Sequence, residues 1–263
     1  MGKSIVITSG KGGVGKTTCT ANIGACLARR GYKVVVVDGD TGLRNLDIML
    51  NLGDIIVYNL ANVLDGKCSI HDALIQSRDV PGLYLMPAAQ AITEAAIKSE
   101  AMQKLISSLT VEFDFVLIDC PAGIGKGFNY SVNGVSEVLL VVTPEIASVR
   151  DASHVVAILR EKSEADINVI VNRIRPHLVA AGAMLKKHDI EEVLKAKVIG
   201  MILDDDFVIG YGNCGKLIPE MSSTGIAFSD ITRRILGERV GFLKTKYTFK
   251  DKIYALKYKK TFR

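Results

Sequence analysis

Paired cysteines and long apolar runs are both missing from this chain of 263 residues. It has five cysteines, none of them spaced as a CxxC pair: Cys19, Cys26, Cys68, Cys120 and Cys214. This pattern favours reduced thiols in a cytosol-like compartment over a disulfide framework. No eighteen consecutive apolar residues occur, so no membrane-spanning segment is predicted.

Metal-binding histidine motifs and a secretory leader are also absent. The four histidines show no metal-ligand spacing, which favours surface or hydrogen-bonded roles for them. Nothing before the first apolar run has the pattern of a signal peptide, so we expect a cytoplasmic protein. The remaining composition, 48% hydrophobic and 23% charged, is that of an ordinary globular protein.

Basic residues are concentrated at the end of the chain. Residues 244–263 contain eight lysines and arginines and one aspartate, a net charge of +7. The whole chain carries +5, so the first 243 residues carry −2. We predict one domain over residues 1–240 and a basic, partly amphipathic tail over residues 241–263.

Short β-branched runs alternate with helix-length amphipathic stretches along the chain. The predicted strands are Ser4–Ser9, Lys33–Val37, Leu83–Met86, Phe115–Asp119, Val138–Thr143, Asn168–Asn172 and Val198–Leu203. The predicted helices are Lys16–Arg30, Thr93–Ser108, Ala147–Lys162, Ala180–Lys186 and Gly225–Leu236. Solid runs such as VVVV are typical of strands covered on both faces. The alternation predicts an α/β, doubly wound, mostly parallel sheet.

Residues Gly10 to Thr17, GKGGVGKT, match the phosphate-binding pattern G-x-x-x-x-G-K-[ST]. Glycines let successive backbone N–H groups point at one anion, and the positive end of the following helix adds to the attraction. We expect Lys16 to neutralise phosphate oxygens and the Thr17 hydroxyl to ligate Mg²⁺. A strand before the loop and a helix after it give the context that predicts a P-loop NTPase.

Three aspartates stand at the ends of predicted strands. Asp119 follows the buried run FVLI, as in a Walker B strand, and Asp38 and Asp40 end the second strand. Ligands of doubly wound sheets bind at the carboxyl ends of the strands. Carboxylates placed there suit a Mg²⁺ shell completed through waters. Helix capping or turn formation is the alternative role.

Lys11 is a second lysine in a loop that needs only one. Directed away from its own phosphates, it would reach the nucleotide of a second subunit and stabilise the transition state in trans, as arginine fingers do. A solvated surface lysine is an equal alternative.

Several motifs together resemble one family. The stretch KGGVGKTT, with Lys11, is similar to the deviant Walker A signature of the MinD/ParA family of ATPases. The stretch VVVVDGDTGLRNLDIML resembles the family's switch I, and IDCPAGIGKGF resembles its Walker B motif and switch II. The stretch VVTPEIASVRDASHV resembles the strand and helix that follow, and VIVNRIRP resembles the strand that contacts the base. The GLRNLD piece separates the chain from most ParA relatives and favours the septum-site branch. The resemblance extends over residues 2 to 240.

This resemblance implies roles for individual residues. Lys11 would contact the partner's nucleotide and support hydrolysis with Lys16, and Asp40 would orient the attacking water. Thr17, Asp38 and Asp119 would hold Mg²⁺, the two carboxylates through waters. The residues implied to bind the nucleotide are Gly12, Gly13, Val14, Gly15, Lys16, Thr17, Thr18 and Asn172. Of these, Asn172 would hydrogen-bond adenine, with a turn-forming role as its alternative.

Two positions depart from the family's pattern. Gly125 stands where the family usually has an acidic or polar residue after switch II. Leu203, in ILDDDF, stands where the family often has proline near the base. The departures bear on purine contacts and regulator binding and leave the phosphate chemistry intact.

Members of the septum-site branch, which the chain resembles, usually end in a short amphipathic helix that docks on the membrane. On a helical wheel of this tail, one side carries Leu243, Tyr247, Tyr254 and Tyr258, and a second cluster carries Phe242, Phe249, Ile253 and Leu256. Lysines separate the two clusters, so the amphipathic character is weakened. Charge and aromatics together predict reversible binding of a dimer to an anionic membrane surface. A disordered basic tail is the alternative.

The favoured hypothesis is a Mg-ATP-dependent, dimerising ATPase switch that binds the membrane peripherally in the ATP state and recruits a septum inhibitor. The resemblance implies ATP and Mg²⁺ as cofactors, an ATP-dependent homodimer, and partners like the inhibitor MinC and the activator MinE. It places the protein at the inner face of the cell membrane, or in the stroma and at the inner envelope of a plastid.

Three other functions compete with this hypothesis. A ParA-type partition ATPase would bind DNA through the tail, but GLRNLD and the acidic body argue against it, so nucleic acid is not expected as a partner. An iron–sulfur carrier would need paired cysteines at a dimer interface. A tyrosine kinase, suggested by the tyrosines of the tail, is disfavoured by the second switch carboxylate and by GLRNLD.

Overall fold

The computed structural model describes residues 1–40, 44–88 and 98–242, together with Tyr254, Leu256 and Tyr258. The strands are β1 Lys3–Thr8, β2 Val34–Asp38, β3 Ile75–Gln76, β4 Leu83–Met86, β5 Phe115–Asp119, β6 Glu137–Val142, β7 Asp166–Ile174 and β8 Lys197–Leu203. The helices are α1 Lys16–Arg29, α2 Leu46–Met49, α3 Leu60–Leu64, α4 Ile70–Ala73, α5 Ser99–Glu112, α6 Lys126–Val132, α7 Ile146–Lys162, α8 Pro176–Ala181, α9 Lys187–Leu194, α10 Asp206–Asn213 and α11 Ser223–Ile235, with a 3-10 turn at Gly53–Ile55.

Within the described residues the strands form one sheet in the order β3-β4-β2-β5-β1-β6-β7-β8. Every neighbouring pair is parallel except β3 with β4, which is antiparallel. The strand before the predicted phosphate loop, β1, lies between β5 and β6. The carboxyl ends of β1, β2 and β5 therefore meet at one edge, as a doubly wound sheet requires.

Side chains of each central strand alternate between two apolar layers. In β2, Val35 and Val37 pack into the layer that contains α5, α6, α7 and α9. Val34 and Val36 pack into the opposite layer, with α1 and α11. Both faces of the strand are thus buried, which explains why its sequence is a solid β-branched run.

The predicted elements are mostly confirmed. All seven predicted strands form, with ends shifted by at most two residues, and the two-residue strand β3 was missed. Three predicted helices match α1, α7 and α11 to within two residues. The helix predicted over Thr93–Ser108 is observed as α5, which runs four residues further, and residues 93–97 lie outside the described residues.

The helix predicted over Ala180–Lys186 is wrong. The chain instead forms α8, which begins at Pro176 and ends at Ala181. Proline suits the first turn of a helix, and Gly182 adopts a φ of 78°, the left-handed conformation that ends one. Lys186 is the N-cap residue of α9, an element that the prediction missed.

The start of the predicted tail packs against the domain. The Phe242 ring is partly buried against one apolar layer, with the Arg234 guanidinium 4.2 Å from its centroid. Arg234 also donates hydrogen bonds to the carbonyls of Val240 and Gly241. The chain is therefore held to the body as far as Phe242.

Few residues of the tail beyond Phe242 are described. Tyr254, Leu256 and Tyr258 are helical, and the Tyr254 ring lies 5.7 Å from the ring of His177 in α8. The other members of the predicted apolar clusters, Leu243, Tyr247, Phe249 and Ile253, lie outside the described residues. In the part of the chain that the structure covers, no helix is both long and apolar enough to cross a bilayer.

Candidate nucleotide-binding site

The predicted phosphate loop joins β1 directly to α1. Gly13 and Gly15 adopt φ values of 76° and 100°, the left-handed region that glycine enters without strain. Gly15 is the N-cap residue of α1 and Lys16 its first residue, and the first turn holds no acidic side chain. The backbone N–H groups of the loop and the positive helix end are thus available to an anion.

The loop is also fixed against a second helix. A Cβ added to Gly10 would lie 2.5 Å from the carbonyl carbon of Asp151 in α7, so only glycine allows this approach. The loop therefore rests directly on the backbone of α7. Within the loop, the Ser9 hydroxyl donates to the Lys11 carbonyl at 2.7 Å, and the Lys11 side chain is exposed.

An open cleft of about 530 Å³ lies beside the loop. It brings together eight residues that the sequence predicted for the site: Gly12, Gly13, Gly15, Lys16, Thr17, Thr18, Asp40 and Asp119. Four predicted residues do not line it. Val14 and Asp38 are buried behind its wall, Lys11 is exposed, and Asn172 lines a neighbouring pocket.

Two buried carboxylates lie side by side behind the loop, and Asp119 is the one of them that lines the cleft. Asp38 and Asp119 pair in register across β2 and β5, and each is only 2% exposed. Thr17 donates to Asp119 Oδ2 at 2.6 Å and Thr20 to Asp119 Oδ1 at 3.1 Å. Sequence reasoning missed Thr20, whose position one turn after Lys16 was the available signal.

Burial dominates the electrostatics of this pair. It raises the pKa of Asp119 to about 6, although hydrogen bonds from Thr17 and Thr20 and the charge of Lys16 oppose the shift. Burial, reinforced by the charge of Asp119, raises the pKa of Asp38 well above its usual range. A divalent cation would stabilise both carboxylates in their ionised form. With the Thr17 hydroxyl they make a set of oxygen donors that fits Mg²⁺.

Asn172 lies beneath the loop. Its Nδ2 donates to the Val14 carbonyl at 2.8 Å, and a Cβ on Gly15 would come within 2.3 Å of the same nitrogen. It also lines a pocket of about 210 Å³ together with Gly15, Thr18 and Leu203. The predicted contact with adenine stays a prediction, and the structure adds a role for Asn172 in supporting the loop.

The two departures from the family pattern lie at different places. Leu203, at the end of β8, is 38% exposed and lines the pocket next to Asn172. The segment after it is fixed by Asp205, which accepts hydrogen bonds from the Thr224 hydroxyl and the Phe207 N–H. Gly125 is the exposed N-cap residue of α6 and does not line the pocket.

Sequence reasoning missed two features that flank the cleft. Arg173 has a φ of 57°, an uncommon value for a residue other than glycine, and lines both cavities. Residues Val208 and Ile209 of α10 form another part of the wall. Neither feature has a local sequence signal. The conformation of Arg173 depends on the end of β7, and the position of α10 depends on the path of the chain after β8.

The chain is similar to several known proteins. A family model described as an AAA domain matches residues 2–172. The chain is 46% identical to the septum site-determining protein MinD of Synechocystis over 246 residues, which are 92% of each chain. It is 40% identical to MinD in a solved MinC:MinD cell division complex from Aquifex aeolicus, with a TM-score of 0.86, covering 92% of this chain and 98% of that one.

A third relative was solved with a nucleotide. It is MinD of Pyrococcus horikoshii, complexed with Mg-ADP, which is 29% identical with a TM-score of 0.80 and coverage of 89% of this chain and 96% of that one. The chain has a phosphate loop and a buried carboxylate pair, and it covers nearly the whole length of these relatives. The chain belongs to the MinD family of septum site-determining P-loop ATPases.

Proposed function

We propose that this chain is a Mg-ATP-dependent switch that dimerises around ATP, binds an anionic membrane in that state and recruits a septum inhibitor. The observation that carries the proposal is the loop with its two left-handed glycines, opposed by the buried pair Asp38 and Asp119. Anionic phosphates suit the loop, and a divalent cation suits the carboxylates. Together these features are the requirements of a nucleotide bound as its magnesium complex.

Each residue of the site has a separate proposed role in hydrolysis. Loop N–H groups and Lys16 would hold and neutralise the phosphates, and Thr17, Asp38 and Asp119 would hold Mg²⁺. When bound, the ion supplies charge stabilisation for the transferred phosphoryl group. Asp40, which lines the cleft, would accept a hydrogen bond from the attacking water and orient it. Lys11 would add a cation to the nucleotide of a second subunit.

Dimerisation is supported by the exposed surface around the cleft. Ile48 and Ile209 line the cleft and are 56% and 63% exposed, and Phe207, on the same helix as Ile209, is 76% exposed. Exposed apolar side chains grouped beside a charged cleft are typical of a surface that a protein partner covers. Lys11 is exposed on the phosphate loop, other residues of which line the same cleft. Its ammonium group would thus be free to meet a partner that covers the cleft.

The proposed partner and membrane contacts rest on different grounds. A septum inhibitor is supported by the relative from Aquifex aeolicus, which was solved with MinC. Membrane binding is supported by the +7 charge of residues 244–263. One tail binds weakly, and two tails on one ATP dimer bind together because the second engagement is intramolecular.

Liposome sedimentation tests the switch. The full chain should sediment with anionic liposomes in ATP and little in ADP, and Lys16→Ala should sediment in neither. A chain ending at Phe242 is the matched truncation, because it keeps the contacts of Gly241 and Phe242 with Arg234. It should lose membrane binding and keep ATP turnover. Sedimentation of this truncated chain to the same extent as the full one refutes the anchoring role of the tail.

The same tail leaves one competing function. Eight basic residues would also attract DNA, as a ParA-type partition ATPase requires. A DNA co-sedimentation arm at the same salt concentration separates the two functions. Preference for DNA over anionic liposomes in ATP would replace the membrane switch by the partition function.

A further inference from the structure

Tyr130 joins the segments that follow two neighbouring strands, β5 and β2. It lies on α6, which follows the Walker B strand β5, and it is 1% exposed. Its phenol donates a hydrogen bond of 2.7 Å to the carbonyl of Gly39. Gly39 stands between Asp38 and Asp40, so a side chain from the switch II region holds the backbone of switch I.

The backbone around the peptide that Tyr130 holds is fixed by further contacts. The Gly39 N–H donates to the Asp119 carbonyl at 2.9 Å. A Cβ added to Gly39 would lie 2.9 Å from that carbonyl oxygen and 3.2 Å from the Ser131 hydroxyl. The next residue is fixed as well, because the Asp40 N–H donates to Asp38 Oδ1 at 3.0 Å. A chain of hydrogen bonds therefore runs from Tyr130 through the Gly39–Asp40 peptide to the Asp38 carboxylate, and it fixes the backbone that carries the Asp40 side chain.

We propose that Tyr130 is a positioning residue for ATP hydrolysis, which sets the Gly39–Asp40 peptide so that the Asp40 carboxylate meets the attacking water. The inference rests on the proposed role of Asp40. Phosphoryl transfer is accelerated mainly by positioning and charge stabilisation, so a small displacement of the water-orienting group lowers turnover. Binding of the nucleotide is assigned to the loop and Lys16, whereas the Tyr130 hydroxyl bonds to the Gly39 carbonyl, so its removal should preserve affinity.

A double-variant cycle on the full chain tests the inference. Tyr130→Phe keeps the ring and removes the hydroxyl. It should lower kcat about tenfold, equivalent to about 1.4 kcal/mol of transition-state free energy, with KM for ATP within about twofold of the parent. In an Asp40→Ala background the same substitution should leave the residual kcat unchanged. Such non-additivity is expected only if Tyr130 acts through Asp40.

The matched control for Tyr130→Phe removes a buried hydroxyl that lies away from the cleft. Thr232 in α11 donates to the Phe228 carbonyl at 2.9 Å and is fully buried away from the cleft. Thr232→Val should lower the melting temperature and leave kcat and KM unchanged. A merely structural role for Tyr130 predicts that Tyr130→Phe behaves in the same way.

A second variant tests the contact from the other side. Gly39→Ala forces the segment after β2 away from the Asp119 carbonyl. It should therefore reproduce the loss of kcat, again only when Asp40 is present. Parental kcat in Tyr130→Phe, or an equal fold-loss with and without Asp40, overturns the positioning role. Parental turnover of Asp40→Ala alone overturns the proposed role of Asp40 and the inference with it.

Discussion

Replacing Gly15 by alanine should damage the protein in two separable ways, one through the backbone and one through Asn172. At a φ of 100° an alanine costs about 1–2 kcal/mol. Its Cβ would also lie 2.3 Å from Asn172 Nδ2, so the amide must move and release the buried Val14 carbonyl. An unsatisfied buried carbonyl costs about 1–3 kcal/mol more. The expected loss of unfolding free energy is therefore about 2–5 kcal/mol.

Gly13 is the matched control for the backbone part. Its φ is 76°, and a Cβ there meets no atom within 4 Å. Gly13→Ala should lose only about 1–2 kcal/mol. In a chain of this size each kcal/mol lowers the melting temperature by about 2–4 °C. Circular dichroism melts without nucleotide should thus show a clearly lower midpoint for Gly15→Ala than for Gly13→Ala.

Asn172→Ala tests the second part of the expected loss, the hydrogen bond to the Val14 carbonyl. It removes the same hydrogen bond to Val14 and should cost about 1–3 kcal/mol. The double variant Gly15→Ala/Asn172→Ala should then be no less stable than Gly15→Ala, because that bond is lost only once. Equal midpoints for Gly13→Ala and Gly15→Ala, or additive losses in the double variant, would refute the reasoning.

Three further substitutions test the chemistry of the cleft. Lys16→Ala should abolish nucleotide binding, since it removes the cation that offsets the phosphate charge; tight ATP binding in calorimetry would contradict the loop assignment. Asp40→Ala should bind ATP normally and hydrolyse it at least tenfold more slowly, because the attacking water loses its acceptor; single-turnover assays with parental rates would remove Asp40 from the mechanism. Lys11→Ala should keep ATP binding by the isolated chain and lose ATP-dependent dimerisation or turnover, with Lys104→Ala on the exposed face of α5 as control; gel filtration showing a normal ATP dimer, together with normal turnover, would exclude the trans role.

Local patterns predicted the sheet and the loop because their causes are local. The VVVV run specifies a strand buried on both faces, and the glycine spacing specifies the loop. The closeness of Asp38 and Asp119 was also predictable, since parallel strands end at the same edge. Residues whose placement depends on distant segments were missed. Tyr130 meets Gly39 from 91 positions away, and Arg173 acquires its left-handed backbone where the pairing of β7 with β8 shifts register.

The direct seating of Gly10 on α7 has a mechanical consequence. No side chain lies between the loop and that helix at Asp151, so nothing soft is present there to absorb a displacement. From Asp151 the helix continues to Lys162, a rigid rod of about 16 Å. There the Lys162 ammonium donates to the Asn129 side chain of α6, next to Tyr130. The loop and α7 should therefore shift together, whereas the exposed and flexible Lys162 side chain connects them only loosely to α6.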